Sequence, residues 1–434
     1  MSPDRRFEQE LPGLLDDLYL GPMPTYRDHV LRQTVRTRQR PAWLIPERWL
    51  PMVDIAGQPV LVRRLPWRTI GLVVLLMALL VVALAALAVG GRPNLPPPFG
   101  PAANGLVAYA SGGDIHTVNP VTGASTVIVK GPGDADPRFS RDGTRIAFTR
   151  QGASAGTSLL YVVSADGSGL VQVTPQALPA TEIETFTFSP DGKEILISAS
   201  PGVFTHFQIA NTDGSGIRTI NLPRDATDAA WRPPDGAEIL FQENADVPNT
   251  ADSGIYAVNV HDGKVRTILA GGEAGNRFRG NAAWSPDGSL ISFGEWQGLT
   301  GIDVQTHIIA ADGTGDRVLP MPTNAVWQAP ESWSNDGTRL LVIRGYSDDF
   351  TQARPVAIPV AGGGLGVEIP YPGGMGTPDV TSWEWAPDDT SILGTPADAS
   401  GTALDQVLLD PVAGTSRTPS WTSVAQPTWQ RLGR

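Results

Sequence analysis

The chain has 434 residues, a formal charge of −12, 18% charged residues and no cysteine. The lack of cysteine excludes a disulfide framework, a thiolate metal site and a lipid-modified cysteine, and the acidic balance argues against a nucleic-acid binder. Gly 48 and Pro 39 make up roughly a fifth of the chain, short of a low-complexity composition and suited to many tight turns.

Residues 1–69 hold 11 Arg, no Lys and 8 acidic residues, a charge of +3, and the remainder carries −15. Leu11, Leu14, Leu15 and Leu18 follow the three-four spacing of one helix face, with Pro12 and Gly13 near the start. A second helix is predicted from Pro24, with Tyr26, Val30, Leu31 and Val35 as its apolar stripe. Asp28 near its start and Arg36, Arg38 and Arg40 near its end suit the helix dipole, and Pro41 stops it. Two short amphipathic helices bury little core alone. They need a surface, either anionic lipid or a cytoplasmic protein. Leu14, Leu18, Tyr26, Leu31 and Arg36 are the candidate partner-binding residues.

Residues 70–91, IGLVVLLMALLVVALAALAVGG, are 22 residues without a charge. As a helix they would reach about 33 Å, enough for a bilayer core of roughly 30 Å. Arg63, Arg64 and Arg68 precede the segment and Arg92 follows it, which predicts a cytoplasmic N-terminus. The 69 residues in front favour an uncleaved signal-anchor in the plasma membrane over a cleaved signal peptide. The leader LPGLLDDLYLGPMPTYRDHVLRQTVRTRQRPAW, followed by a single span, resembles bacterial membrane proteins that join a short anti-sigma-like cytoplasmic segment to an outer sensor domain. That resemblance implies a cytoplasmic sigma factor or other regulator as partner. Zinc-binding members use a His and two Cys, and this chain has His29 but no cysteine, which excludes the zinc version. Residues 92–103, rich in proline, read as an extended stalk of about 3.1 Å per residue.

From residue 104 to 434 one pattern repeats. Phe139, Phe188, Trp231, Trp284, Trp333 and Trp385 each precede a turn, written SRDG, SPDG, RPPDG, SPDG, SNDG and APDD. The aromatics stand 49, 43, 53, 49 and 52 residues apart, and Trp429 follows 44 residues later. A second turn closes each unit, as in LLYVVSADGSG at 159–169 and HIIAADGTG at 307–315. Asp-Gly supplies the positive φ that tight hairpins require. Each unit therefore reads as four antiparallel strands, one propeller blade. NGLVAYASGGDIHTVNPVTG at 104–123 lacks an opening, and QPTWQR at 426–431 is an opening with nothing after it. Joined, they complete a seventh blade and close the ring, which removes long unpaired edges. The predicted fold is all-β, a seven-bladed propeller closed by its N- and C-terminal strands.

FSPDGKEILI at 188–197 and WSPDGSLISF at 284–293 resemble the TolB-like, WD-repeat-like β-propeller family over about residues 105–431. Two units depart from the pattern: WRPPDG carries an extra residue, and Asp389 stands where glycine is usual. The resemblance implies a binding platform. Some members precede a peptidase domain, and none is expected after Arg431.

GASAG at 152–156 matches the nucleophile-elbow pattern around Ser154, but a strand rather than a helix follows it. His116, His206, His261 and His307 do not occupy equivalent blade positions, so no metal cluster is expected. Asp142, Asp191, Asp235, Asp287 and Asp336 read as turn formers, and the aromatics as wedges between blades. Three residues before each aromatic stand Asp136, Thr185, Asp228, Asn281, Pro330, Ser382 and Gln426. Asp136, Asp228, Asn281 and Gln426 are the candidate ligand contacts at a tunnel mouth. The sequence thus predicts a membrane-anchored extracytoplasmic propeller with no cofactor, binding an envelope protein or glycan without catalysis and signalling inward. A scaffold with an inert leader and a propeller hydrolase or lyase are the alternatives.

Overall fold

The computed structural model describes residues 73–75, 77, 99–154, 156–174, 182–200, 206–222, 226–243, 253–271, 277–298, 303–348, 352–370, 382–395, 405–419, 421 and 427–433. The chain divides into two units, Met1–Ala88 and Val89–Arg434, and nearly all described residues belong to the second. They form seven four-stranded antiparallel sheets. Blade 1 joins Thr428–Leu432 to Ala103–Ser111, Asp114–Val118 and Ser125–Val129. Blades 2 to 7 are continuous in sequence and begin with the strands Asp134–Phe139, Glu182–Phe188, Ala226–Trp231, Arg277–Trp284, Trp327–Trp333 and Ser382–Trp385. Val107 pairs with Trp429 and Ala103 with Leu432, so the C-terminal strand closes the ring as predicted.

Seven apolar clusters fill the seven interfaces between neighbouring blades. Between blades 6 and 7, Leu341, Ile343 and Ala357 pack against Trp383, Trp385 and Leu409. At the closure, Val107, Tyr109 and Val118 of blade 1 meet Leu393 and Leu408 of blade 7, with Trp429 between them. A single blade buries too little surface to stand alone, and these interfaces supply the burial at about 25 cal/mol per Å². The repeated aromatics act as wedges. The indole N–H of Trp231, Trp333 and Trp385 donates to the preceding blade's first strand, at Thr187 O (3.2 Å), Ala283 O (3.3 Å) and Ser332 O (3.2 Å).

The turn after each aromatic is built as its residues dictate. Ser140 Oγ donates to Asp142 Oδ1 at 2.6 Å, and Thr144 N donates to the same oxygen at 3.0 Å. Asp191, Asp287 and Asp336 repeat the arrangement. Gly288 has φ +69°, and a Cβ there would lie 2.0 Å from Pro233 O of the preceding blade, so only glycine fits. Asp389, at φ +62°, takes the same backbone form in blade 7. Its carboxylate accepts from Asn335 N (2.7 Å) and Asp336 N (2.9 Å) in the turn of blade 6.

Among the described residues no helix is long and apolar enough to cross a membrane. The expected transmembrane helix at 70–91 therefore gains no support from the structure. Within it only 73–75 and 77 are described, helical and exposed, and the rest lies outside the described residues. So do residues 1–69, with Leu14, Leu18, Tyr26, Leu31 and Arg36, and residues 92–98 of the stalk.

Candidate functional site: the central tunnel

First strands of blades 1 and 2, and of each successive pair from blade 3 to blade 7, touch one another. They form an inner ring around a tunnel. Each first strand enters at one mouth and runs to its turn at the other.

The entry mouth is shaped by bulges. Pairing slips between Ala135 and Arg138, Ile183 and Thr185, Thr227 and Ala230, Gly280 and Ala283, and Pro330 and Ser332. Asp136, Asp228 and Asn281 sit in these bulges at φ +50°, +51° and +55°, with exposed side chains. Asp and Asn adopt this left-handed form more readily than other side-chain-bearing residues, and bulges re-aim side chains at sites. Asn281 Nδ2 donates to Pro330 O of the next blade at 3.4 Å. Gln242 Nε2 donates to Asp228 Oδ2 at 2.5 Å. Desolvation raises the Asp228 carboxyl, and the Gln242 bond opposes that shift. Of the other predicted positions, Thr185 is exposed and Pro330 buried, and Gln426 lies outside the described residues.

Three carboxylates that spacing did not single out stand on the same strands: Glu184, Glu331 and Glu384. Glu331 is the unpaired residue of its bulge, half-buried at the tunnel wall. Desolvation pushes its carboxyl up to about 8. Glu384 lies deeper, next to Trp385. Its Oε1 accepts from Trp429 N at 3.1 Å and Thr428 Oγ1 at 3.4 Å, linking blade 7 to blade 1. Burial pushes this carboxyl up to about 7, against the pull of the Trp429 N–H and the Arg138 and Arg431 cations. Two carboxylic acids that hold their protons near neutrality therefore stand on neighbouring first strands. Such groups serve as general acids.

The turn mouth is different. Two residues past each aromatic stand Arg141, Pro190, Pro233, Pro286, Asn335, Pro387 and Arg431. Arg431 Nη1 reaches past blade 7 to donate to Asn335 Oδ1 at 2.5 Å, and its Nη2 donates to Gly100 O at 2.5 Å. Burial, and then the Arg431 cation, push the Arg141 guanidinium down to about 10. Ala102 N donates to Pro387 O at 2.7 Å, so the segment leading into blade 1 lies against this mouth.

The remaining candidates fall elsewhere. Ser154 lies in the loop between two strands of blade 2, its carbonyl accepting from Thr157 Oγ1 at 2.7 Å. His116 stacks on Tyr109, and His307 pairs with Asp316 at 2.9 Å. Among the described residues no group of three or more His, Asp or Glu is placed to hold a metal ion.

No protein-family model matches the chain, and no curated protein does. Solved structures do match it. An oligogalacturonate lyase in complex with manganese is 16% identical over 73% of this chain and 84% of its own, with a TM-score of 0.51. A prolyl endopeptidase structure is 13% identical over 76% of this chain at a TM-score of 0.52, and the chain spans 50% of its length. TolB from Acinetobacter baumannii is 15% identical over 77% of this chain and 68% of its own, at a TM-score of 0.41. At these identities the likeness shows the propeller fold alone. It still corrects one expectation, that the chain is not an enzyme. That reading took the propeller for a binding platform, and the similar structures include a lyase matched over most of its length and an endopeptidase matched over half of its own. The physical reason is the inner ring. Its strands carry Glu331 and Glu384, whose carboxyls burial raises.

Proposed function

We propose that the propeller is a hydrolase or lyase whose chemistry sits in the tunnel. The raised carboxyls of Glu331 and Glu384 carry this reading. Glu384 would act as the general acid and Asp136 or Asp228, at the entry mouth, as the base. A mouth lined by Asp136, Glu184 and Asp228 repels polyanions and favours a neutral or cationic substrate, a basic peptide or a neutral glycan of the envelope. The 22 uncharged residues at 70–91 would hold the propeller outside the plasma membrane with the N-terminus inside. The Arg-rich segment 1–69 would dock a cytoplasmic regulator, and its +3 charge against −15 beyond supports two compartments.

The test is turnover of basic and neutral peptides and neutral oligosaccharides by the full-length protein, with Glu384→Gln and Glu331→Gln beside it. The expected result is activity falling as pH rises through about 7, and a loss of roughly 100-fold or more in Glu384→Gln. Turnover indifferent to both substitutions, or none on any of these substrates, would sink the proposal.

A further inference from the structure

We propose that a second site, on blade 6 away from the tunnel axis, binds a small organic oxyanion, a carboxylate or a phosphate monoester. A cavity of about 650 Å³ opens there, within the usual size of a small-molecule site. Its polar wall is Arg344, Arg354, Tyr346, Glu368, Asn324 and Gln352, and Pro322 and Leu365 give it an apolar side. Strand register puts these residues at the entry-mouth end of the blade. Trp327 pairs with Gly345, Arg354 with Arg344, and Glu368 with Val356.

The capacity left over in this wall is mostly that of a donor. Arg344 is 1% exposed and nearly saturated. Its Nε and Nη2 donate to Gln328 Oε1 at 3.0 and 2.9 Å, Nη2 also to Leu365 O at 2.7 Å, and Nη1 to Glu368 Oε1 at 3.2 Å. Arg354 spends one donor, Nη1 to Ala353 O at 2.7 Å, and pairs with no carboxylate among the described residues. A guanidinium has five N–H groups in a fixed fork, so Arg354 keeps enough for a bidentate grip on an oxyanion. Glu368, the one carboxylate in the wall, already accepts from Arg344 and from the Tyr346 hydroxyl. Two guanidiniums against one carboxylate leave a local positive charge on a chain of −12.

The wall is also held in advance. Gln328 is 1% exposed, and both its contacts to Arg344 use Oε1, which fixes its Nε2 as a donor. That Nε2 has no partner among the described residues, although Gln328 borders a neighbouring cavity of about 270 Å³ with Thr306 and Met321. An unsatisfied buried donor is costly. Here it accompanies an arginine locked in place, so Arg344 holds the wall's shape while Arg354 supplies the grip on the anion.

Calorimetric titration of the full-length protein with glucuronate, glucose 6-phosphate and glucose tests this. One or both charged sugars should bind saturably and glucose should not, and the arm that binds tells carboxylate from phosphate. Arg354→Gln, with its fold checked by melting, should weaken binding about tenfold or more. Arg218→Gln removes a charge from blade 3 and should leave binding unchanged. Equal binding of glucose, no saturation by either charged sugar, full binding by a folded Arg354→Gln protein, or equal weakening by Arg218→Gln would each overturn the proposal.

Discussion

The entry mouth and the turn mouth are opposite ends of the same seven strands. One collects carboxylates on left-handed bulges, and the other ties Arg431, Asn335 and Asp389 to one another. At the turn mouth Arg431 bonds Asn335 and the incoming segment at Gly100, and Asp389 bonds Asn335 across two blades. At the entry mouth Asp136 and Asn281 strain the backbone, and Glu331 loses solvent without gaining a partner among the described residues. The contrast teaches that one end is organised for holding the ring and the other keeps an unfavourable arrangement of the kind sites carry.

The sharpest way to break the comparison is at the closure. Ending the chain before Pro427 removes the strand paired to Ala103–Ser111 and bares that strand's edge. The expected outcome is loss of cooperative unfolding in urea. Next comes Arg431→Ala, which strips Asn335 and Gly100 of their donor. A loss of about 1.5–3 kcal/mol is expected from the urea midpoint.

At the entry mouth the sign reverses. The folded carboxyls of Glu331 and Glu384 stand at about 8 and about 7, above the ordinary 4.5. Their contribution to stability is full below that ordinary value and is lost as pH rises through 7 and then 8. Glu331→Gln should therefore raise Tm by about 2–4 °C in mild alkali and change it little in acid. The smallest effect belongs to Asp136→Gly, which removes a strained side chain. It should leave stability unchanged or raise it by up to about 1 kcal/mol. A loss in either variant would mean that the entry mouth, too, is built to hold the ring.

Much of the fold is legible in the residues because the turn after each aromatic is chemically narrow. Asp-Gly, a serine and close backbone approach leave few alternatives, so the units and the split blade can be counted. Asp389 reads as a defect in that count, yet its carboxylate ties two blades together. The tunnel is less legible. A fixed offset of three residues reaches Asp136, Asp228 and Asn281 but passes over Glu184, Glu331 and Glu384. On blades 3 and 6 a bulge shifts the register by one residue, and one residue reverses which side a chain presents, whereas Glu384 stands on a strand without a bulge, one residue before its aromatic. The whole window between strand start and aromatic carries the signal. The pairing on blade 6 between Arg344, Gln328 and Glu368 links three strands and has no sequence spacing to betray it.

The split first blade also has a consequence for how the molecule is made. Residues 103–129 leave the ribosome early, and the partner they need, Thr428–Leu432, comes roughly 300 residues later. At synthesis rates of about 5–20 residues per second the wait is about 15–60 s. Throughout that interval the nascent chain carries a bare edge, and a message cut short anywhere upstream yields a product that never loses it.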